Sequence, residues 1–188
     1  MTRTLIVLAH PAIQISRVNR AMAGAAKRTE GVTLHDLYST YPNFYIDAKR
    51  EQARLLEHDA IVLQHPLYWY HMPALLKEWV DLVLEYGWAY GGSKALAGKR
   101  WTHAFSTGSS KAGYAEGGTH RHGIETYAAG FEQTAAICGM QWHAPFVTHD
   151  ARKLDDDALD ARLDEYQGWL RGLAALTAPP VLAADPAA

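Results

Sequence analysis

Residues 59–83, DAIVLQHPLYWYHMPALLKEWVDLV, decide the fold. Asp59 to Gln64 (DAIVLQ) is a short apolar run of strand length. Pro73 stands where a helix starts, and Leu75, Leu76, Trp79, Val80 and Val83 recur at helical spacing to form one apolar stripe. Gly87 is expected to end that helix. A strand, an aromatic loop and an amphipathic helix make the unit from which a parallel sheet is assembled.

The same alternation runs outward in both directions. Towards the N-terminus, Arg3 to Ala9 (RTLIVLA) is a continuous apolar run, the pattern of a strand buried on both faces. Arg17 to Thr29 follows as a helix with Val18, Ala21, Met22, Ala25 and Ala26 on one face, closed by Gly31. Val32 to Tyr38 alternates like a second, less buried strand. Asp47 can cap a helix reaching about Glu57, with Leu55 and Leu56 towards the core.

Towards the C-terminus, Lys99 to Ser106 (KRWTHAFS) reads as a fourth strand, followed by a Gly- and Ser-rich loop to about Gly123. A helix from Ile124 to Cys138 leads to a fifth strand within Met140 to Thr148. Leu159, Leu163, Tyr166, Leu170 and Leu173 mark a closing amphipathic helix, with Asp155, Asp156 and Asp157 at its positive end. Strands alternating with helices predict an α/β fold. It is a flavodoxin-like three-layer sandwich with a five-stranded parallel sheet, order 2-1-3-4-5, and helices on both faces. Residues 1–176 are expected to form this domain, and residues 177–188 an Ala- and Pro-rich flexible tail.

Composition narrows the function. Eighteen basic and 20 acidic residues leave no excess of positive charge for nucleic acid or anionic lipid. Leu5 to Ala9 is too short for a signal-peptide core or a membrane span, which places the chain in the cytoplasm. One cysteine, Cys138, reads as a buried small hydrophobe. His35, His58, His103, His143 and His149 are scattered without ligand spacing and read as surface or packing residues. His120-x-His122 could suggest a metal, but no nearby cysteine or carboxylate clearly completes a site, so none is expected.

In parallel sheets ligands bind beyond the carboxyl ends of the strands, where three loops of this chain converge. The first runs from His10 to Asn19. It opens a helix whose free N–H groups can hold a phosphate, with Ser16 and Asn19 as neutral donors and Arg17 as a charge. It carries neither G-x-G-x-x-G nor a Walker loop, and an ordinary turn with Ser16 as N-cap accounts for it equally well. The second is His65 to Pro73. Tyr68, Trp69 and Tyr70 cannot all enter one core, so some must face either a flat ligand or a protein interface. The third is Ser106 to Tyr114, where Gly108 permits close approach of a ring.

At these loops the sequence resembles the flavodoxin-fold NAD(P)H:quinone oxidoreductases, through AHP…S-x-x-N, QHPLYWYHMPALLKEWVD, YGWAYG and STGSSKAGY. Within that family, Tyr41-Pro-Asn-Phe-Tyr-Ile-Asp47 and Gly87-Trp-Ala-Tyr-Gly91 suggest the ancillary oxidoreductase of glutathione-gated potassium-efflux systems. The resemblance implies bound FMN (alternatively FAD), NADH or NADPH as electron donor, a quinone-type acceptor and a homodimer. It also implies cytosolic contact with a potassium-efflux transporter, which would make the protein peripheral at the inner face of the membrane. It assigns His10, Ser16, Arg17, Val18 and Asn19 to the phosphate end of the flavin, and Leu67, Tyr68, Trp69, Tyr70, Ser106, Thr107, Gly108 and Ser109 to its ring. Tyr114 and His120 match the family's tyrosine and histidine that assist hydride transfer, with His122 as an alternative histidine. Ser109 stands where the family usually has glycine. An electron-shuttle flavodoxin and a non-catalytic regulatory subunit are the competing functions; shuttles are commonly strongly acidic, unlike this chain.

Overall fold

The computed structural model describes residues 2–176, so the expected tail lies outside the described residues. Strands β1 (Thr4–Leu8), β2 (Val32–Asp36), β3 (Ala60–Pro66), β4 (Arg100–Ser106), β5 (Gln141–Trp142) and β6 (Phe146–Thr148) form one parallel sheet. Its order is β2-β1-β3-β4-β5, with β6 also paired to β4. The fifth position is therefore filled by two short strands rather than one. Residues 143–145, ending in Pro145, interrupt the pairing, because proline has no N–H to give to a ladder.

Helices α1 (Arg17–Lys27) and α6 (Asp156–Ala175) cover one face of the sheet. Val18, Met22, Tyr166 and Leu170 pack there on Ile6, Val62 and Ala104. Helices α3 (Ala48–Leu56), α4 (Ala74–Val83) and α5 (Ile124–Ile137) cover the other. There Leu55, Leu75, Leu76, Trp79 and Ala135 pack on Leu5, Val7, Ile61 and Leu63. Consecutive residues of β1 thus enter opposite layers, as strand geometry requires.

Three local expectations change. A single-turn helix, α2 (Leu37–Thr40), follows β2, and the Asp36 side chain accepts a hydrogen bond from Ser39 N at 3.2 Å to cap it. Leu56 is half exposed while Leu55 is buried, because adjacent residues sit about 100° apart on a helix. Helix α4 ends at Val83, and Gly87 instead takes φ +82° in the turn beyond it. Cys138 is buried, and burial pushes its thiol above its ordinary value.

Beneath α3 lies a buried carboxylate. Glu51 accepts hydrogen bonds from Tyr41 Oη and Trp79 Nε1, both at 2.9 Å, and His35 Nε2 lies 3.0 Å away. Burial alone would raise its pKa, but these donors and the His35 charge outweigh burial and hold it below its usual value. The cluster ties β2, the Tyr41 segment, α3 and α4 together.

Candidate functional site

A cleft of about 790 Å³ opens beyond the carboxyl ends of β1, β3 and β4. That lies within the usual range for small-molecule sites, roughly 300–1,000 Å³. The loop after β1 and the first turn of α1 contribute His10, Ile15, Ser16, Arg17, Val18 and Asn19; the end of β3 and the loop after it contribute Pro66, Leu67, Tyr68 and Trp69. Ser106 ends β4, Thr107 and Gly108 follow it, and Ala151 and Arg152 follow β6.

The phosphate-sized end is built by α1. Ser16 occupies the N-cap position, but its hydroxyl bonds no helix N–H. Asn19 Nδ2 turns back instead, 3.4 Å from Ser16 Oγ and 2.9 Å from Ser106 Oγ. The first-turn N–H groups therefore lack a side-chain cap and carry the positive end of the helix dipole. His10 Nδ1 accepts from Ala12 N at 3.0 Å, which leaves Nε2–H as the ring's donor. Burial lowers the His10 pKa, with Asp36 opposing, so the ring is neutral near pH 7. Arg17 is drawn away from its expected role. Its guanidinium pairs with Asp156 at 2.5 Å and donates to the Leu154 carbonyl. Among the described residues Arg152 makes no ion pair, and it lines the same cleft.

The aromatic wall stands on a strained turn. Tyr68 and His71 exchange backbone hydrogen bonds at 2.8 and 2.9 Å, leaving Trp69 and Tyr70 as the two central residues of a hairpin turn. Both take left-handed backbone, φ +48° and +67°, in positions that Asn-Gly ordinarily fills. Such conformations cost on the order of 1–2 kcal/mol per residue and cluster at binding sites. Trp69 is 90% exposed at the cleft. Tyr70 does not line it. Its ring stacks on Tyr127, centroids 4.8 Å apart, because the turn directs consecutive side chains to different sides.

The third loop meets the cleft with Ser106, Thr107 and Gly108, and a Cβ at Gly108 would meet no atom of the described residues within 4 Å. Ser109 lies outside the lining, since its carbonyl is engaged by Thr107 Oγ1 at 2.8 Å and Asp150 N at 3.1 Å. Tyr114 and His120 also lie outside the lining. They stack on each other, centroids 4.2 Å apart, while His122 is exposed. Burial, with Tyr70 and Tyr127 close by and the Thr107 hydroxyl opposing, raises the Tyr114 pKa and keeps its hydroxyl protonated. His149, read from sequence as surface or packing, has Nδ1 3.1 Å from Thr107 Oγ1.

Ile15, Pro66, Ala151 and Arg152 line the cleft without having been singled out from sequence. The last pair had an available signal: the loop after the fifth strand leaves the same sheet edge as the other three. Under the sheet, His65 and His103 are fully buried, His65 Nε2 to His103 Nδ1 at 2.9 Å, and His65 Nδ1 lies 2.9 Å from the Pro66 carbonyl oxygen. His103 stacks on Phe131 at 4.1 Å.

The chain belongs to the flavodoxin-like fold family, whose profile matches residues 2–170. It is 46% identical to the glutathione-regulated potassium-efflux system ancillary protein KefG of Serratia proteamaculans over 170 residues, 90% of this chain and 93% of that one. Among solved structures it resembles the general stress protein 14 of Treponema denticola in complex with FMN, with a TM-score of 0.85 and 38% identity over 91% of this chain and 99% of that one. It also resembles an NADPH-quinone reductase from P. pentosaceus, with a TM-score of 0.82 and 32% identity over 89% and 97%. Among the described residues no helix is long and apolar enough to cross a membrane.

Proposed function

We propose that the chain is a flavin-dependent NAD(P)H:quinone oxidoreductase that holds FMN in this cleft. One observation carries the reading. An uncapped helix N-terminus, an aromatic hairpin and an open-sided glycine, separated by many residues in sequence, line a single cavity. The Treponema denticola relative supports FMN over FAD, and the P. pentosaceus relative supports the donor and acceptor classes.

The residues fit that cofactor. Asn19 Oδ1 is buried without a partner among the described residues, an arrangement that a bound donor would relieve. The α1 N–H groups and Arg152 suit a phosphate, Leu67 to Trp69 suit one side of a ring, and the Thr107–Gly108 backbone suits its polar edge. When bound, the flavin supplies the hydride chemistry. The protein's part is to orient the rings, exclude water and handle the accompanying proton. Tyr114 serves as hydroxyl donor and His120 as the imidazole that gains a proton.

Loading purified protein with FMN and following quinone-dependent NAD(P)H oxidation tests the reading. Bound flavin absorbance with quinone-dependent turnover supports it. A preparation that refuses FMN rejects the site, and one that binds FMN without turnover rejects the catalysis.

The potassium-efflux relative favours a second, compatible role as a cytosolic ancillary subunit of a transporter, acting as a homodimer. Ile15, Tyr45, Trp69 and Tyr86, all more than two-thirds exposed, offer apolar contact surface for such assembly. Co-purification with the transporter's cytosolic domain, and sedimentation of the free protein, check the two partnerships separately.

A further inference from the structure

Tyr70, Tyr114, His120 and Tyr127 form a closed aromatic box beside the third loop. The Tyr70 ring lies on Tyr127 (4.8 Å, 21°), and the His120 ring lies on Tyr114 (4.2 Å, 18°). Tyr127 Oη donates to the His120 carbonyl at 2.5 Å, and His120 N donates to the Gly113 carbonyl at 2.9 Å. The backbone of His120 is therefore fixed, and the remaining freedom is the rotation and protonation of its ring. Tyr70 Oη lies 3.3 Å from Nδ1, while Nε2 is buried with no partner among the described residues.

We propose that Tyr70 is a positioning residue for His120, its hydroxyl holding the imidazole through Nδ1 and so fixing the ring whose proton is handled beside Tyr114. This rests on the reading of His120 as the proton-handling residue. Three observations converge on it. Tyr70 adopts φ +67° although nothing in its own side chain favours that backbone, and such conformations persist where surrounding contacts over-determine them. The stack on Tyr127 and the bond to His120 are those contacts. The hydroxyl is also the only part of the Tyr70 ring that phenylalanine would lack.

A tyrosine oxygen can accept from the Nδ1–H of an imidazolium, and such charge-assisted bonds are stronger than the bond it gives to the neutral ring. Tyr70 Oη is therefore placed to bond Nδ1 of the ring in either protonation state. The titratable side chains packed against His120 are Tyr70 and Tyr114, with Tyr127 on its carbonyl and His149 behind Tyr114 at 5.7 Å. Its chain neighbours Arg121 and His122 are exposed. Among the described residues no carboxylate pairs with the His120 ring.

The test is an NMR titration of the His120 imidazole in flavin-free protein, assigned through His120→Gln. In Tyr70→Phe, which keeps the Tyr127 stack, the midpoint should fall by roughly half a pH unit or more. In Tyr127→Phe, which removes only the bond to the His120 carbonyl, it should stay in place. An unmoved midpoint in Tyr70→Phe overturns the proposal, as does an equal shift in both variants, which would mean that the box had merely loosened. With FMN bound, Tyr70→Phe should slow flavin reduction by NAD(P)H roughly three- to tenfold, with its pH profile displaced in the same direction. If His120→Gln reduces at the native rate, the catalytic reading of His120 fails. If His120→Gln is slow and Tyr70→Phe is native in rate and profile, the positioning role fails.

Discussion

Asn19 Nδ2 donates a hydrogen bond to Ser106 Oγ at 2.9 Å, joining the first turn of α1 to the end of β4 across 87 residues of sequence. Both side chains are buried, and the Asn19 main-chain carbonyl oxygen accepts from Gln64 Nε2 of β3 at 3.0 Å, so α1, β3 and β4 meet at one asparagine. Removing the side chain strands the Ser106 hydroxyl and releases the loops from each other.

Asn19→Ala should therefore cost about 1–3 kcal/mol of stability, the usual penalty for an orphaned buried polar group. FMN affinity should fall roughly tenfold or more. Urea unfolding and a fluorescence titration with FMN measure the two effects. Native affinity in a destabilised variant would remove Asn19 from the site.

Trp69 is exposed yet held at φ +48°. Asparagine tolerates that backbone better, so Trp69→Asn should leave stability unchanged or raise it by up to about 1 kcal/mol. FMN binding should weaken in the same variant. Opposite signs for Tm and affinity would identify the turn as strain retained for binding; a fall in both would identify Trp69 as a structural residue.

Arg152 lines the cleft without an ion-pair partner among the described residues, whereas Arg17 is tied to Asp156. Arg152→Gln should weaken FMN roughly three- to tenfold and leave riboflavin, which has no phosphate, unaffected. Asp156→Asn should leave stability within about 0.5 kcal/mol, because the Arg17–Asp156 pair is exposed. The ratio of FMN to riboflavin dissociation constants reads the first effect directly.

Burial pushes His65 down to about 4, with the Pro66 carbonyl opposing, and pushes His103 well below its ordinary value. The unfolded chain protonates these rings below a pH of roughly 6.5, while the folded chain resists until much lower pH. The unfolded state thus binds more protons across that interval, and stability falls as pH drops from about 6.5 towards 4. The slope approaches about 1.4 kcal/mol per pH unit for each ring. Urea midpoints near pH 7 and near pH 5 should differ accordingly, and a His65→Phe, His103→Phe double variant should flatten the difference.

How much of this was legible in the sequence follows from physics. The strand–helix alternation survived because Leu5 to Leu8, Ile61 to Leu63 and the α4 stripe carry strong periodic signals. Helix α2 escaped because a single turn has no periodicity to detect, although Asp36 three residues before Ser39 was a capping pattern. The fifth strand was read as continuous because its apolar character spans the break that Pro145 imposes on pairing. At the cleft, strand-end loops were recognisable as a set, but side-chain direction was not. Tyr70 belongs to the same aromatic run as Trp69 and points elsewhere because the turn reverses between them. The His65–His103 pairing was invisible, since the partners meet only through the register that sets Leu63 against His103 and His65 against Phe105.

The broken fifth position has a further effect at the rim of the molecule. Two strands of two and three residues present only short stretches of unpaired backbone, and Pro145 between them offers no N–H. At the opposite rim β2 runs for five residues before the chain turns into α2. A neighbouring chain seeking to extend the sheet finds only short templates at the β5–β6 rim. At that rim the fold can therefore keep aromatic side chains in solvent at the cleft while denying stray polypeptides a place to add strands.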